Sequence, residues 1–393
     1  MKKYLFKKDS FFATIFVFAI IGALYYNPIN SHLFNPFKVG LADFSINDLA
    51  FSKTHLSSTK DERIVIVNID TIGRKSIANL LQHLKQYQPK VVGLDVLLPQ
   101  KDDSANADLS AAIKAMPQIV LSQKIKPISD DEHNEKFELV DNQFVDKDHK
   151  IGYVNFRAEE GGVIRYFPPF LKNETKVYES FAVSVAQLAN ENAYQKIVKR
   201  NNVNEWINYK RVDSNYYIFN YTDILQDGFD SSFLKDKIVL LGFVSQDLNN
   251  IEDKHFTPLN KKLFGISFPD MSGVIIQANI ISMILDKDYI TRIPNWVMII
   301  FAFFIIWIYM AFLLKYYIHK HIWFHIAAKS MELLLGILLV YIGVVVLRYF
   351  NIYIDFTLVI AATILAVDIL YFYEGFRNWL QKKFNIHSIF NTH

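Results

Sequence analysis

Three aspartates stand at or near the ends of predicted buried strands. Asp70 ends the run RIVIVNID, Asp95 lies late in VVGLDVLL, and Asp247 follows KIVLLG after a short loop. Ligands in an open parallel sheet bind beyond the carboxyl ends of the strands, and hard cations take oxygen ligands. These carboxylates are therefore candidates for a cation or polar-ligand site. The alternative is that they cap helices or accept hydrogen bonds from loop amides, as aspartates after strands generally do.

The stretch EDKHFTPL at residues 252–259 concentrates further ionisable groups. His255 is its natural titrating member. A histidine without a placed partner does not establish catalysis, and the alternative is a solvated loop. The sequence has no cysteine and no G-x-S-x-G, H-E-x-x-H, P-loop or G-x-G-x-x-G motif, so thiol chemistry is excluded and signatures of enzymes are missing. We therefore expect no enzymatic activity, no cofactor and no metal.

The elements that position these groups are predicted from hydrophobic patterns. Residues 63–70 and 91–98 are β-branched runs without alternation, which is typical of strands buried on both faces of a sheet. Apolar residues at helical spacing in 77–84 lie between them and complete a right-handed strand–helix–strand unit. Further predictions are a helix at 109–116, strands at 119–125, 216–220 and 237–242, a hairpin of 151–156 with 163–167 around Gly161-Gly162, one long helix at 179–199 and an apolar helix at 273–285. The predicted fold is an α/β domain with a mainly parallel core sheet.

Four apolar runs approach or exceed the length that crosses a bilayer: 11–26, 296–314, 331–349 and 352–373. The first run follows a basic segment and resembles a secretory signal, but no small-x-small cleavage pattern follows it, so we interpret it as an uncleaved anchor. Asp368 lies inside the last run. It is expected to snorkel towards the cytoplasmic end or to pair with Arg377 or Lys329.

The charge distribution predicts the topology. The formal net charge is +3, yet 11 of the 42 basic residues and only five of the 39 acidic residues lie outside residues 27–294. Lysine and arginine mark cytoplasmic segments. This rule predicts that residues 1–10, 315–330 and 374–393 lie on the cytoplasmic side of a bacterial inner membrane. The weakly acidic segment 27–294 is then a periplasmic domain. The basic surplus reports this topology and argues against nucleic-acid binding.

Several stretches together resemble a known family. They are DERIVIVNID, PKVVGLDVLL, GYVNF with GGVIRYFP, SFAVSVAQLA, LKDKIVLLGFVSQD, DKHFTPL and PDMSGVIIQANIISMIL. With three apolar runs after the domain, residues 43–294 resemble the second class of CHASE domain, the extracytoplasmic sensor associated with cyclases and histidine kinases. Two features depart from that family. The segment after the first strand lacks a W-P-W pattern, and Gln277 stands where the family usually has histidine.

The resemblance implies a sensor that binds a small molecule or a protein and signals through its membrane helices. Only 20 residues follow the last apolar run, fewer than an output domain needs, so we expect a separate membrane or envelope partner or a homo-oligomer. The candidate ligand-binding residues are Asp70, Asp95, Arg165, Asp247, Asp253, His255 and Thr257, and the candidates for signal transmission are Gln277 and Pro294.

Two other functional readings compete with the sensor. The missing W-P-W pattern and Gln277 favour a structural or assembly subunit of an envelope complex. A metal-dependent hydrolase built on Asp70, Asp95 and Asp247 is the third reading. Transport is disfavoured because the apolar runs show no paired broken helices.

Overall fold

The computed structural model describes residues 2–26, 56–127, 137–140, 142–144, 148–156, 162–173, 176–226, 228–245, 253–260, 268–318 and 324–384. Its helices are α1 (Lys2–Leu5), α2 (Lys8–Tyr26), α3 (Arg74–Gln86), α4 (Asn106–Lys114), α5 (Phe181–Ala189), α6 (Glu191–Arg200), α7 (Tyr221–Ile224), α8 (Gly273–Asp286), α9 (Asn295–Ile318), α10 (Phe324–Phe350) and α11 (Thr357–Phe384).

The longer strands belong to one mixed sheet, and the others form two-stranded pairs. The strands are β1 (Ile64–Asn68), β2 (Val91–Leu94), β3 (Ile119–Pro127), β4 (Phe137–Val140), β5 (Lys150–Tyr153), β6 (Tyr166–Phe167), β7 (Phe170–Asn173), β8 (Lys176–Glu179), β9 (Glu205–Trp206), β10 (Tyr217–Asn220), β11 (Ile238–Gly242), β12 (Lys254–His255), β13 (Met271–Ser272), β14 (Thr291–Arg292) and β15 (Ile352–Tyr353). The chain divides into two compact units, Phe37–Ile290 and Met1–Pro36 with Thr291–His393.

The central sheet confirms the predicted mainly parallel core. Its order is β10-β1-β11-β2-β3, where β3 also pairs with β5 in parallel and with β4 in antiparallel orientation. Residues of one strand face alternately to the two sides, and both sides are covered. Val65 and Val67 of β1 pack in the cluster that contains α3 and α4, whereas α5 and α8 pack on the sheet strands from the other side. Burial on both faces explains why these strands are continuous apolar runs.

Two local predictions were wrong. The segments 151–156 and 163–167 do not form a hairpin, because β5 pairs with β3, β6 pairs with β9, and Val163 forms a bridge with Phe256. The predicted long helix is two helices, α5 and α6. They separate at Asn190, whose extended backbone (φ −158°) interrupts the first helix and whose side chain accepts a hydrogen bond from the Ala193 amide at 3.2 Å to cap the second.

The second unit is helical. Helices α9, α10 and α11 are long and apolar enough to cross a membrane. Ala13 and Val17 of α2 share a buried cluster with residues of α9 and α11. In the region of the last predicted span, 352–373, Ile352–Tyr353 pairs in parallel with Thr291–Arg292, and the helix runs from Thr357 to Phe384.

Candidate functional site

Three motif stretches that are far apart in the sequence meet in the unit Phe37–Ile290. The amide of Ile164, in GGVIRYFP, donates to the Phe256 carbonyl at 2.8 Å. His255, in DKHFTPL, pairs with Met271 in the antiparallel ladder of β12 and β13. The Gly273 amide, in PDMSGVII, donates to the Asp253 carbonyl at 3.1 Å. The stretches that carry the family resemblance therefore build one local structure around the start of α8.

The start of α8 lies against the carboxyl edge of the sheet. A Cβ atom on Gly242, the last residue of β11, would stand 2.8 Å from the side chain of Val274. The amide of Asp95 follows β2 and donates to the Leu241 carbonyl at 2.8 Å. Asp95 is therefore beside the strand end on which the first turn of α8 packs, at the edge where open parallel sheets bind ligands.

Asp253 contacts the same turn of α8 from the other direction. Its backbone is in the left-handed region (φ 54°), and its carboxylate oxygens lie 3.2 and 3.4 Å from where a Cβ atom on Gly273 would stand. A carboxylate is stabilised at a helix N-terminus by the helix dipole. Glycine at position 273 thus permits the close approach of a negative charge to α8.

The ionisation of Asp95 is set by its surroundings. Burial raises the pKa of Asp95 to about 7, and the negative charge of Asp253 adds to the rise. Burial disfavours the charged form of a carboxyl, and a second carboxylate nearby disfavours it further. Asp95 therefore exchanges its proton close to neutral pH.

His255 completes the charged part of the cluster. Its Nε2 atom is 3.9 Å from Oδ1 of Asp253, and its ring packs edge-on against Phe156 with 5.4 Å between ring centroids. Burial lowers the pKa of His255, so the ring is neutral at pH 7 and can donate or accept a hydrogen bond according to its tautomer.

Two buried polar side chains at the start of α8 have no hydrogen-bond partner among the described residues. Ser272 precedes α8 and does not cap it with its side chain, and its Oγ atom is unsatisfied. Gln277 is 2% exposed, and its Oε1 atom is likewise unsatisfied. Gln277 is one turn after Gly273, and helical side chains tilt towards the N-terminus. Gln277 therefore lies on the same face of α8 as Gly273, which Asp253 contacts. We call Asp95, Asp253, His255, Ser272 and Gln277 the edge site.

Thr257 serves a structural role beside the edge site. Its amide donates to Oδ1 of Asp270 at 2.8 Å and its hydroxyl donates to Oδ2 at 2.6 Å, while the Leu259 amide donates to the Thr257 hydroxyl at 3.2 Å. Burial raises the pKa of Asp270 to about 6, although the bonds from Thr257 oppose the rise. This network holds the loop after β12 against β13.

Arg165 is buried next to this network. Its carbonyl accepts from the Ile207 amide at 2.9 Å, and the Tyr209 hydroxyl donates to the neighbouring Ile164 carbonyl at 2.9 Å. Burial raises the pKa of Tyr209 well above its usual value, Asp270 raises it further, and the charge of Arg165 opposes both. The positive charge of Arg165 thus offsets the negative charge of Asp270 below the loop after β12.

The remaining sequence candidates are placed elsewhere. Asp70 is exposed in a left-handed turn after β1 (φ 47°), where its amide donates to Oδ1 of Asn68 at 3.2 Å. Asp247 lies outside the described residues. Pro294 precedes α9, and its carbonyl accepts from the amides of Val297 and Met298 at 3.0 and 3.3 Å.

Among the described residues, no group of three or more His, Asp or Glu side chains is placed to hold a metal ion. The hydrolase reading therefore has no support from the part of the chain that the structure describes.

Sequence reasoning missed two residues at the edge. The side chain of Asn68 accepts from the amides of Asp70 and Val244 at 3.2 and 3.0 Å, and its amide group donates to Asn220 at 3.3 Å. It therefore ties three strand ends together. The available signal was a polar residue within an otherwise apolar buried strand. Ser272 is a serine before an apolar helix, which is the usual sequence signal of a helix cap. That signal predicts a hydroxyl bonded to the helix and not an unsatisfied one.

Comparison with known families agrees with this architecture. The model of the CHASE2 domain matches residues 15–315. The chain belongs to the CHASE2 family. A CHASE2 domain is an extracytoplasmic sensory domain. With the three apolar helices, which contact the lipid bilayer, it identifies a membrane protein with an extracytoplasmic domain. Searches of curated proteins and of solved structures each found no match.

The electrostatic coupling in this CHASE2 domain predicts the effect of Asp253→Asn. Removal of the negative charge at residue 253 is expected to lower the pKa of Asp95 from about 7, while burial keeps it above the ordinary value of 3.8. Carbon-13 NMR titration of the Asp95 carboxyl measures the shift. Asp70→Asn, at the end of β1 two strands away in the sheet, is the matched control and should leave the titration unchanged. An Asp95 titration that is the same in the parent chain and in the Asp253→Asn variant would refute the coupling.

Proposed function

We propose that this CHASE2 protein is a sensor that binds a small, positively charged or donor-rich molecule at the edge site and signals through its membrane helices to a separate partner. The observation that carries the proposal is the pair of unsatisfied buried polar groups, Ser272 and Gln277, at the start of α8, where Gly273 contacts the carboxylate of Asp253 and Asp253 in turn interacts with Asp95. Buried polar groups without partners are rare in native proteins and call for water, an ion or a ligand.

The side chains of the edge site favour a ligand that donates hydrogen bonds. Two carboxylates and the Oε1 atom of Gln277 are acceptors, and the neutral ring of His255 offers one acceptor nitrogen. An ammonium or guanidinium group would form charge-assisted hydrogen bonds with the carboxylates. It would also favour the ionised form of Asp95, so binding would release the proton that Asp95 holds near pH 7.

The route to the membrane begins in α8. Residues 273–284 of this helix are all buried, and its last residue, Asp286, accepts from the guanidinium of Arg63 at 2.5 and 3.0 Å. Five residues later, β14 begins and pairs with β15, which lies between α10 and α11. A shift of the chain after α8 would therefore act on α9 directly and on the α10–α11 connection through the β14–β15 pair.

The finer topology is part of the same proposal. We place α2 across the inner membrane as a fourth span and both termini in the cytoplasm. Ala13 and Val17 of α2 are buried with residues of α9 and α11. The carboxylate of Asp9 forms an ion pair with Arg377 at 3.0 Å, so the beginning of α2 and the late part of α11 are on the same side.

A thermal-shift assay on the purified full chain tests the ligand class. Small primary amines and guanidines should raise the Tm by a few degrees at concentrations well above Kd, whereas carboxylic acids with the same carbon skeletons should not. Asp95→Asn should abolish the amine effect, and Asp70→Asn should retain it. Equal shifts by amines and acids, or amine shifts that survive Asp95→Asn, would refute this ligand class. No shift with any probe, together with a constant stoichiometric partner on purification, would favour the envelope scaffold instead.

A further inference from the structure

Asp368 is an exposed acidic residue within a membrane-spanning helix. It is the twelfth of the 28 residues of α11 and is exposed. At a rise of 1.5 Å per residue it lies about 16 Å from the start of the helix, close to half the thickness of a hydrocarbon core of about 30 Å. The aspartate side chain has a single methylene, so it cannot snorkel over that distance as lysine or arginine does.

The two basic residues that the sequence offers as partners are paired with other acids. Nζ of Lys329 lies 3.0 Å from Oε2 of Glu332, and Nε of Arg377 lies 3.0 Å from Oδ1 of Asp9. The predicted pairing of Asp368 with either is therefore wrong. Within residues 2–26 and 268–384, apart from the undescribed 319–323, Asp368 has neither a hydrogen bond nor an ion pair.

The surroundings of Asp368 form a continuous outward face on α11. Ile364 and Phe372, one turn before and after it, are 47% and 68% exposed. Gly375 follows on the same face and is exposed, with nothing within 4 Å of where a Cβ atom would stand. We call Ile364, Asp368, Phe372 and Gly375 the Asp368 face. Its charge faces hydrocarbon, where ionisable side chains are costly and mark functional contacts.

We propose that the Asp368 face is the docking surface for a membrane-spanning helix of another protein, which carries a lysine or arginine at the depth of Asp368. A helix with a basic residue complements the charge of Asp368, whereas a second copy of this chain does not. The Tyr371 hydroxyl, one turn after Asp368, is 3.3 Å from Nε2 of His325 near the start of α10, so Lys329 and Glu332 lie near the same level. Each copy thus brings one base and two acids, and self-association would add to the acidic surplus.

Site-specific photo-crosslinking in native membranes tests the proposal. A photoreactive residue replaces Phe372 on the Asp368 face, and a control replaces Leu334, which is exposed on α10. Position 372 should yield one adduct with another membrane protein, and the crosslinked peptide should be an apolar segment with Lys or Arg within one turn. Asp368→Leu should reduce the yield about tenfold, and Asp368→Glu should retain it.

The remaining outcomes overturn the proposal. They are crosslinks to lipid or to a second copy only, a partner peptide without a basic residue, an equal adduct from position 334, and an adduct that persists in Asp368→Leu. Thermal unfolding of Asp368→Leu in detergent separates loss of docking from loss of folding. Because Asp368 has no bond inside the described helices, the Tm should be unchanged or higher, and a lower Tm would assign it an internal structural role. The amine assay on the purified chain does not depend on these results.

Discussion

Replacement of Gly152 with alanine is expected to lower the free energy of unfolding of the sensor domain by about 3 kcal/mol or more. Gly152 is in β5, and a Cβ atom there would stand 2.4 Å from Cα and 2.7 Å from N of Phe181. These are backbone atoms at the start of α5, so the clash cannot be relieved by a rotamer change. Either β5 or α5 must move.

The position of Phe181 explains why this movement is costly. The Phe181 side chain is fully buried, and its ring also fills the space over Gly93 in β2, where a Cβ atom would be 2.8 Å from Cζ. Chemical denaturation followed by circular dichroism measures the loss. Gly73→Ala is the control, since a Cβ atom there has open space and φ is −76°. Because Gly73 is the N-cap of α3, where alanine is disfavoured, this variant should lower the free energy by about 1 kcal/mol at most. Equal stabilities of the two variants would contradict the packing of α5 on β5.

Asp61→Asn is expected to destabilise the sensor domain by about 2 kcal/mol at pH 7, because it removes the charge from a buried carboxylate that accepts hydrogen bonds from the half-exposed Arg63. The Asp61 carboxylate is buried and accepts from Nε and Nη2 of Arg63 at 2.9 and 2.7 Å and from the Ser282 hydroxyl at 2.8 Å. Arg63 also binds Asp286 at the end of α8. The network therefore joins the start of β1 to the last turns of α8.

The stabilisation of the folded domain by Asp61 depends on pH. Burial would raise the pKa of Asp61, but the hydrogen bonds and charge of Arg63 hold it at about 2, below its ordinary value of 3.8. The stabilisation is thus complete above the unfolded-state pKa and is lost as pH falls from about 4 towards 2, which amounts to about 2 kcal/mol.

Denaturation of the chain and of Asp61→Asn between pH 2 and 7 should therefore show two stability curves that converge in acid. The comparison cancels the opposite contributions of Asp95 and Asp270, which are the same in both proteins. Glu138→Gln, in an exposed ion pair with Lys126 at 3.7 Å, is the control and should have little effect at any pH. A constant difference across the range would contradict the role of the Asp61 charge.

The parts of the fold that the sequence predicted are those with a strong hydrophobic signal. The strands β1, β2 and β11 are buried along their whole length, so their apolar runs were unambiguous. The apolar helix α8 and the three long membrane helices were visible for the same reason. The ends of a helix such as α11 carry a weaker signal, because the Ile352–Tyr353 pairing and the amphipathic end of the helix depend on neighbours.

The errors arose where long-range contacts override local preferences. Two adjacent glycines indicated a hairpin, yet β5 finds its partner in β3 and Val163 finds its partner in Phe256, nearly a hundred residues later. The break at Asn190 was also missed. Its side chain supplies a cap that compensates for the interrupted helix, and hydrophobic periodicity does not report a single residue of this kind.

Four members of the edge site, Asp95, Asp253, His255 and Gln277, were singled out from the sequence, whereas Ser272 and the arrangement of the site were not predicted. Asp95 and Asp253 were both candidates, but in separate groups, because their proximity depends on the docking of α8. That docking requires Gly242 against Val274 and Gly273 against Asp253. The sequence showed these glycines without their contacts. Gln277 was singled out through the family resemblance, and its unsatisfied amide became apparent only from the structure.

A change of charge at the edge site is expected to reach the membrane helices. Since the chain contains no cysteine, spin labels can be attached to cysteines that replace Phe304 on α9 and Leu334 on α10, both exposed. The distance distribution between the labels is then measured from about pH 5.5 to about pH 8.5, the range in which Asp95 ionises.

Other groups of the sensor domain also respond to pH or interact with Asp95. Asp253 interacts with Asp95 directly, burial lowers the pKa of His255, and the pKa of Asp270 is about 6 and that of Asp213 is raised by burial. The Asp95→Asn variant isolates the contribution of Asp95. We predict a change between two distance populations with a midpoint near pH 7 that Asp95→Asn abolishes. Distance distributions that do not change with pH, or a transition that is the same in Asp95→Asn, would contradict the account.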